Sequence, residues 1–366
     1  IRLNLADMDF RCAPPIARAM HRVADFENFG YTTANSAPEY TQSIIDWYRR
    51  RHQVEVRKEW IVHSNGAIDG VEQAIRAFSE PGDGVIICRP IYRNFTSVTD
   101  KTGRHAVNCQ MINRGDGDYE MDWNAVEEAC QQPENKVFIL CSPQNPVGRV
   151  WTEEELKKIA GICRRGNVVL VSDEIHSDII RRGVVHLPVI KAVEDTSNII
   201  LVSGANKTFN LMGLHCAYSI IPDENLRKQY QKNYEPPMPT PFAIAGMTAA
   251  YNECEDWLDQ LNDYLDDTMA DAVDQIHQKL PLAKAYLPQG SYVLWIDFSG
   301  YGYSTEILQE LIYQRANVAL QKGSSHDPDE GGQFMRMCVT CSKGKIREAI
   351  ERIAAAFEEY EAGNRK

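Results

Sequence analysis

From about residue 60 to 221, short apolar runs alternate with stretches in which apolar positions recur every three or four residues. The runs Gly84–Cys88, Val137–Cys141, Val168–Ser172, Ile199–Ser203 and Cys216–Ile221 are continuously apolar rather than alternating. Strands buried on both faces carry that signature. Helical periodicity fills the intervals, as at Asp69–Phe78 and Glu153–Arg164, and Thr152 with Glu155 has the spacing of a capping box that starts the second helix. The alternation predicts a three-layer α/β unit with a mostly parallel sheet.

From about residue 242 the pattern changes. Phe242–Lys279 predicts a long helical region with breaks, and Ala283–Phe298 a strand, a turn at Gly290 and a second strand. Ser304–Arg315 reads as helix, Val318–Gln321 and Met335–Cys341 as strands, and Lys345–Glu361 as a closing amphipathic helix. Gly323–Gly332, rich in Gly, Ser and Asp, reads as a loop. Together these elements predict a smaller α+β unit.

Composition narrows the function. The formal net charge of −12 disfavours a nucleic-acid partner while leaving room for a local basic pocket. No stretch approaches the run of about 20 apolar residues that a membrane span requires. No signal peptide is visible, and the numbering opens at Ile1, so an earlier segment is left open. Ten cysteines, several in or beside apolar runs, predict reduced thiols in a cytoplasmic enzyme and no metal site.

Four clusters follow apolar runs, and ligands of open α/β sheets bind at the carboxyl ends of the strands. Ser172-Asp173-Glu174-Ile175-His176 places acids where a buried carboxylate could face a protonated pyridine nitrogen, although alone it could be a helix cap or a surface pair. Ser203-Gly204-Ala205-Asn206-Lys207-Thr208 sets a lysine among small residues, where burial would lower its pKa and suit it to Schiff-base chemistry; alone, it could be an exposed loop lysine. Cys141-Ser142-Pro143-Gln144-Asn145-Pro146-Val147-Gly148 is a rigid turn that aims Asn145 above the sheet. Ser64-Asn65-Gly66-Ala67-Ile68-Asp69 opens a helix, whose backbone N–H groups form an anion site that Gly66 lets a ligand approach.

The order of these motifs, with Pro90-Ile91-Tyr92 and a late Arg336, resembles the fold-type I pyridoxal 5′-phosphate (PLP) enzymes of the class I/II aminotransferase superfamily. Within it, Ala6-Asp7-Met8-Asp9-Phe10, Gly30-Tyr31, Ser142-Pro143-Gln144-Asn145-Pro146 and Ser172-Asp173-Glu174-Ile175-His176 resemble the cystathionine β-lyase and cystalysin-like C–S lyase branch. The resemblance runs from Leu5 to the last helix. It implies a large PLP-binding domain over 32–245 and a small domain built from 1–31 and 246–366.

Residue by residue, the resemblance implies that Lys207 carries the cofactor and moves protons, and that Asp173 pairs with the pyridine nitrogen. Asn145, with His176 nearby, would face the phenolic oxygen, and Tyr92 would stack on the ring and serve the leaving sulfur. Gly66, Ala67 and Ile68, with Ser203 and Asn206, would hold the phosphate, and Tyr31 would reach the phosphate of a neighbouring subunit in a homodimer with shared sites. Arg336 would bind the substrate α-carboxylate in a fork. Met8, Asp9 and Tyr292 would line the substrate side, with specificity set by loops around Met8, Tyr31, Asn35 and Ser324–Gln333. Two departures stand out: Gly204 and Asn206 replace the usual Ser or Thr, and His215 stands where many aminotransferases carry a phosphate-binding Arg. The missing Arg is shared with the C–S lyases. The implied reaction is α,β-elimination from L-cystathionine or a related L-cysteine S-conjugate. The alternatives are an aminotransferase, a biosynthetic enzyme acting on a modified amino acid, and a regulator that works through protein contacts.

Overall fold

A computed structural model describes residues 1–33 and 37–364, so Asn35 lies outside the described residues. Among the described residues a seven-stranded sheet runs in the order Ile61–Ser64, Ala217–Ile220, Ile199–Ser203, Val169–Asp173, Asn135–Cys141, Gly84–Ile87, His105–Asn108. Neighbours from Ile199–Ser203 to His105–Asn108 pair in parallel. Ala217–Ile220 alone is reversed, antiparallel to both of its neighbours. Ile61–Ser64 therefore points the same way as the parallel strands, and its carboxyl end reaches the same rim.

The continuous apolar runs are explained by burial on both faces. Ile86, Phe138, Leu140, Leu170, Ile199 and Leu201 pack into one core, while Val85, Ile87, Val137, Ile139, Val171, Ile200 and Val202 pack into the other. This is the period-two alternation of a strand with helices above and below. Helix Ala67–Phe78 covers the second core through Val71, Ala74 and Ile75. Helix Glu153–Arg165 covers the first through Leu156, Ile159 and Ile162, and its capping box forms, with Thr152 and Glu155 each accepting the other's backbone N–H.

Beyond it, Lys284–Ala285, Val293–Asp297, Phe334–Cys338 and Gln321–Lys322 form a four-stranded antiparallel sheet. The expected long helical region is Pro241–Glu253 followed by Glu255–Lys279, broken at Cys254. The closing helix spans Lys343–Asn364. The strand expected over Val318–Gln321 is displaced: pairing to Phe334–Cys338 is made by Gln321 and Lys322, while Ala319 bridges Arg2 in parallel. The N-terminal segment occupies the edge that the expectation gave to the sheet, with Leu3 N–H on Ala319 O at 2.9 Å. Strands Ile61–Ser64 and His105–Asn108 are further additions to the expected set. Both are four residues long and carry polar positions, which hides them from an apolar-run search.

Candidate active site

The carboxyl ends of the parallel strands open onto a cavity of about 400 Å³. Lys207 stands on its wall in the single helical turn Ala205–Thr208, directly after strand Ile199–Ser203. Its Nζ donates to Ala6 O at 2.7 Å and lies 2.9 Å from Met212 Sδ. Burial, helped by the positive field of Arg336, pushes its pKa down to about 8; Asp7 and Asp173 oppose the shift. Asp173 ends strand Val169–Asp173 on the same wall, where its Oδ1 accepts the Ile175 N–H at 3.0 Å. Burial pushes its carboxyl up to about 7, against that hydrogen bond and the charge of Lys207. Among the described residues no ion pair neutralises it.

Arg336 projects from strand Phe334–Cys338 of the second sheet and is 2% exposed. Its Nη1 donates to Asn145 Oδ1 at 3.2 Å and its Nη2 to Asn4 O at 3.1 Å, while Nε is buried without a partner. Asn145, delivered by the turn after strand Asn135–Cys141, is thereby fixed with its carbonyl oxygen engaged. Tyr92 lies on the cavity and its hydroxyl accepts from Asn94 Nδ2 at 2.8 Å. His176 is held by Ser291 Oγ at Nδ1, 3.2 Å away, and complete burial pushes its pKa well down, so the ring is neutral.

Gly66, Ala67 and Ile68 also line the cavity, at the N-terminus of the 12-residue helix Ala67–Phe78. The first N–H groups of a helix lack intrahelical acceptors. A Cβ added at Gly66 would meet nothing within 4 Å, so this turn opens onto free space. Asn206 joins this lining, with its Oδ1 accepting from Cys216 Sγ at 3.4 Å. Packing around Gly204 is tight: a Cβ there would sit 3.0 Å from both Ala217 Cα and Cys216 O, at the start of the reversed strand.

Three of the expected residues lie off the cavity lining. Ser203 does not line the cavity, because its hydroxyl turns beneath the strand end to donate to Glu174 O at 3.2 Å. Met8 is buried off the cavity, with its backbone tied to the Asn210 side chain. Asp9 faces outward to Lys345, 2.7 Å away. The stretch that does reach the cavity lies just upstream, at Asn4, Leu5, Ala6 and Asp7. Tyr292 stands behind that stretch, its hydroxyl donating to Ala6 O at 3.0 Å and its ring edge-on to His176. Tyr31 is 93% exposed and away from this cavity, and His215 is not on its wall. Met212 and Arg93 are on it; the only sequence cue to either is adjacency, Arg93 following Tyr92 and Met212 lying five residues after Lys207.

The chain matches the model of the family described as aminotransferase class I and II over residues 1–353. It is similar to cystathionine beta-lyase PatB of Bacillus subtilis, 35% identical over 96% of this chain and 91% of that protein. It is 29% identical to protein MalY of Escherichia coli over 95% of this chain and 89% of that one. Among solved structures, cystalysin of Treponema denticola, which contains PLP, superposes with a TM-score of 0.94 at 30% identity, covering 98% of this chain and 91% of that one. A PLP-bound C–S lyase of Staphylococcus hominis gives 0.90 at 29%, covering 97% and 90%. The match to the family model, spanning nearly the whole chain, places this protein in the class I and II aminotransferase family.

Proposed function

We propose that this protein is a PLP-dependent carbon–sulfur β-lyase that cleaves L-cystathionine or a related L-cysteine S-conjugate to a thiol, pyruvate and ammonia. The observation that carries the reading is the convergence of Lys207, Asp173 and Arg336 on one cavity, in a chain 35% identical to a cystathionine β-lyase.

The residues present fit the cofactor. Asp173 is a buried carboxyl without an ion-pair partner among the described residues, and a protonated pyridine nitrogen would supply one. The open turn at Gly66, with the N–H groups of Ala67 and Ile68, suits a phosphate, and Asn206 adds its side-chain amide. Asn145 keeps its amide N–H groups for the phenolic oxygen because Arg336 occupies its carbonyl. Neutral His176 borders the same region, and Tyr92 offers a ring face. When bound, PLP supplies the electron sink that stores the pair left on Cα.

The chain's own groups account for the remaining chemistry. Arg336 binds the α-carboxylate and orients the Cα–H bond, using the fork that Asn145 and Asn4 pre-align. Lys207 takes the Cα proton, and a pKa near 8 suits an amine to that work close to neutral pH. The Cβ–S bond then breaks with its electron pair leaving on sulfur, and Lys207 or Tyr92 returns a proton to the thiolate. Roles for Tyr31 and the domain division belong to the same reading. Tyr31, fully presented to solvent, supports a homodimer in which it reaches the neighbour's phosphate site. The two separate sheets support a large domain over 32–245 and a small one from 1–31 and 246–366. The ten free cysteines support a cytoplasmic setting, and among the described residues no helix is long and apolar enough to cross a membrane.

The test is pyruvate release from L-cystathionine by PLP-loaded protein without a keto-acid acceptor. Absence of pyruvate, with pyridoxamine phosphate accumulating, would make the protein an aminotransferase. Lys207→Ala is expected to abolish both turnover and the absorbance band of lysine-bound cofactor; a persisting band overturns the assignment of Lys207.

A further inference from the structure

We infer that Arg93 is a second anion subsite, at the mouth of the cavity, that selects S-conjugates bearing a carboxylate on the part of the substrate beyond sulfur. The inference rests on the lyase reading for its substrate class.

Two guanidinium groups share the cavity, and they are held differently. Arg336 is buried and clamped by Asn145 and Asn4. Arg93 is exposed, follows Tyr92 directly, and its backbone is fixed as the residue preceding helix Asn94–Lys101. Among the described residues no hydrogen bond or ion pair holds the Arg93 guanidinium. The contrast is local: Arg89, four residues earlier, has Asp329 at 3.4 Å. The contrast is also global, because a chain of net charge −12 has acids to spare.

The two charges feel one another, since the field of Arg93 acts to lower the pKa of Arg336. Two like charges facing one cavity repel; Asp7 and Asp173 share the lining, but among the described residues neither forms an ion pair with Arg93 or Arg336, and a ligand carrying two carboxylates relieves that repulsion. The deeper Arg336 takes the α-carboxylate. The exposed Arg93 is left for a charge farther along the substrate. Gln321, paired across the strands with Arg336, adds an amide to the same wall. A neutral S-alkyl chain gains nothing from this wall, whereas a carboxylate gains a charge-assisted hydrogen bond.

The test uses PLP-loaded protein and compares Arg93→Gln with the parent in two arms. In the first, kcat/KM for pyruvate release is measured with L-cystathionine and with S-ethyl-L-cysteine. In the second, Kd is read from the cofactor spectrum for L-2-aminoadipate and L-norleucine, which have no leaving group on Cβ. Arg93→Gln is expected to weaken the carboxylate-bearing member of each pair about tenfold and to leave the neutral member within about twofold. Arg93→Lys, which keeps the charge, is expected to recover most of the loss. Equal effects on both members of each pair, a loss of PLP affinity, or a change in oligomeric state would overturn the assignment and give Arg93 another role. If neither sulfur compound yields pyruvate, the lyase reading fails while the binding arm still decides the fate of Arg93.

Discussion

Asp173→Asn should make the empty protein more stable and the working enzyme worse. The carboxyl is buried, and burial pushes its pKa up from 3.8 to about 7 against the opposing charge of Lys207. A raised acid pKa means that the folded chain holds a proton the unfolded chain releases between those two values, so stability falls as pH rises through that window. Below about pH 3 both states are protonated and the group costs nothing. At pH 8 the full shift operates, and at 1.36 kcal/mol per unit it amounts to about 4 kcal/mol. At pH 5 the cost is already under about 2 kcal/mol. Asparagine is nearly isosteric, still accepts the Ile175 N–H through Oδ1, and carries no charge. Urea midpoints of the cofactor-free proteins should therefore favour Asp173→Asn strongly at pH 8, with the advantage more than halved at pH 5. With PLP bound the sign reverses, because the amide cannot neutralise a protonated ring nitrogen. Losing one partner of such a buried pair costs about 2–5 kcal/mol, or roughly 30- to 5,000-fold in kcat/KM. Two results refute the reasoning: an apo advantage that does not change with pH, which would be mere packing, or undiminished turnover by the loaded variant.

Other consequences follow from the same geometry. The rate of PLP capture by the apo protein should rise with pH around a midpoint near 8, where Lys207 loses its proton, and stopped-flow absorbance would show it; a midpoint near 10.5 would mean the amine is not desolvated. Arg336→Ala removes the donors that Asn145 Oδ1 and Asn4 O accept as well as the carboxylate fork, so kcat/KM for any amino-acid substrate should drop by about 10- to 150-fold. Gly204→Ser, which restores a commoner residue, should weaken the protein by about 1–3 kcal/mol through overpacking, seen as a lower urea midpoint, because its Cβ meets Ala217 and Cys216 at 3.0 Å.

Much of this architecture was legible because two-sided burial writes a plain signature. Runs such as Val137–Cys141 and Ile199–Ser203 must be apolar at every position when alternate residues enter opposite cores. The catalytic candidates were legible for a related reason: a lysine, an acid and an asparagine, each directly following such a run, are delivered to one rim if the strands are parallel. The reversal of Ala217–Ile220 was not legible, since a buried strand has the same composition in either direction. Nor was the crowding at Gly204 visible, because the close contact comes from that reversed neighbour.

The substrate side was harder to read, for a different reason. The segment Asn4–Asp9 has no regular structure of its own, and its placement is dictated from the far end of the chain. Leu3 O accepts the Cys338 N–H at 2.8 Å, Asp9 N–H donates to Thr340 O at 2.9 Å, and Ala6 O is shared by Lys207 and Tyr292. These partners set which side chains face inward, and nothing local encodes them; Met8 and Asp9 look as suitable for a pocket as Leu5 and Asp7. The same contacts tie the N-terminal segment to the amine that would carry the cofactor. Carrying PLP would change the role of that amine, which makes the hydrogen bond from Lys207 to Ala6 O the exchangeable one. Tyr292 remains as the second donor to that carbonyl. A segment held at its ends by strand contacts and at its middle by an exchangeable lysine is therefore the part of the wall best placed to adjust when cofactor and substrate enter.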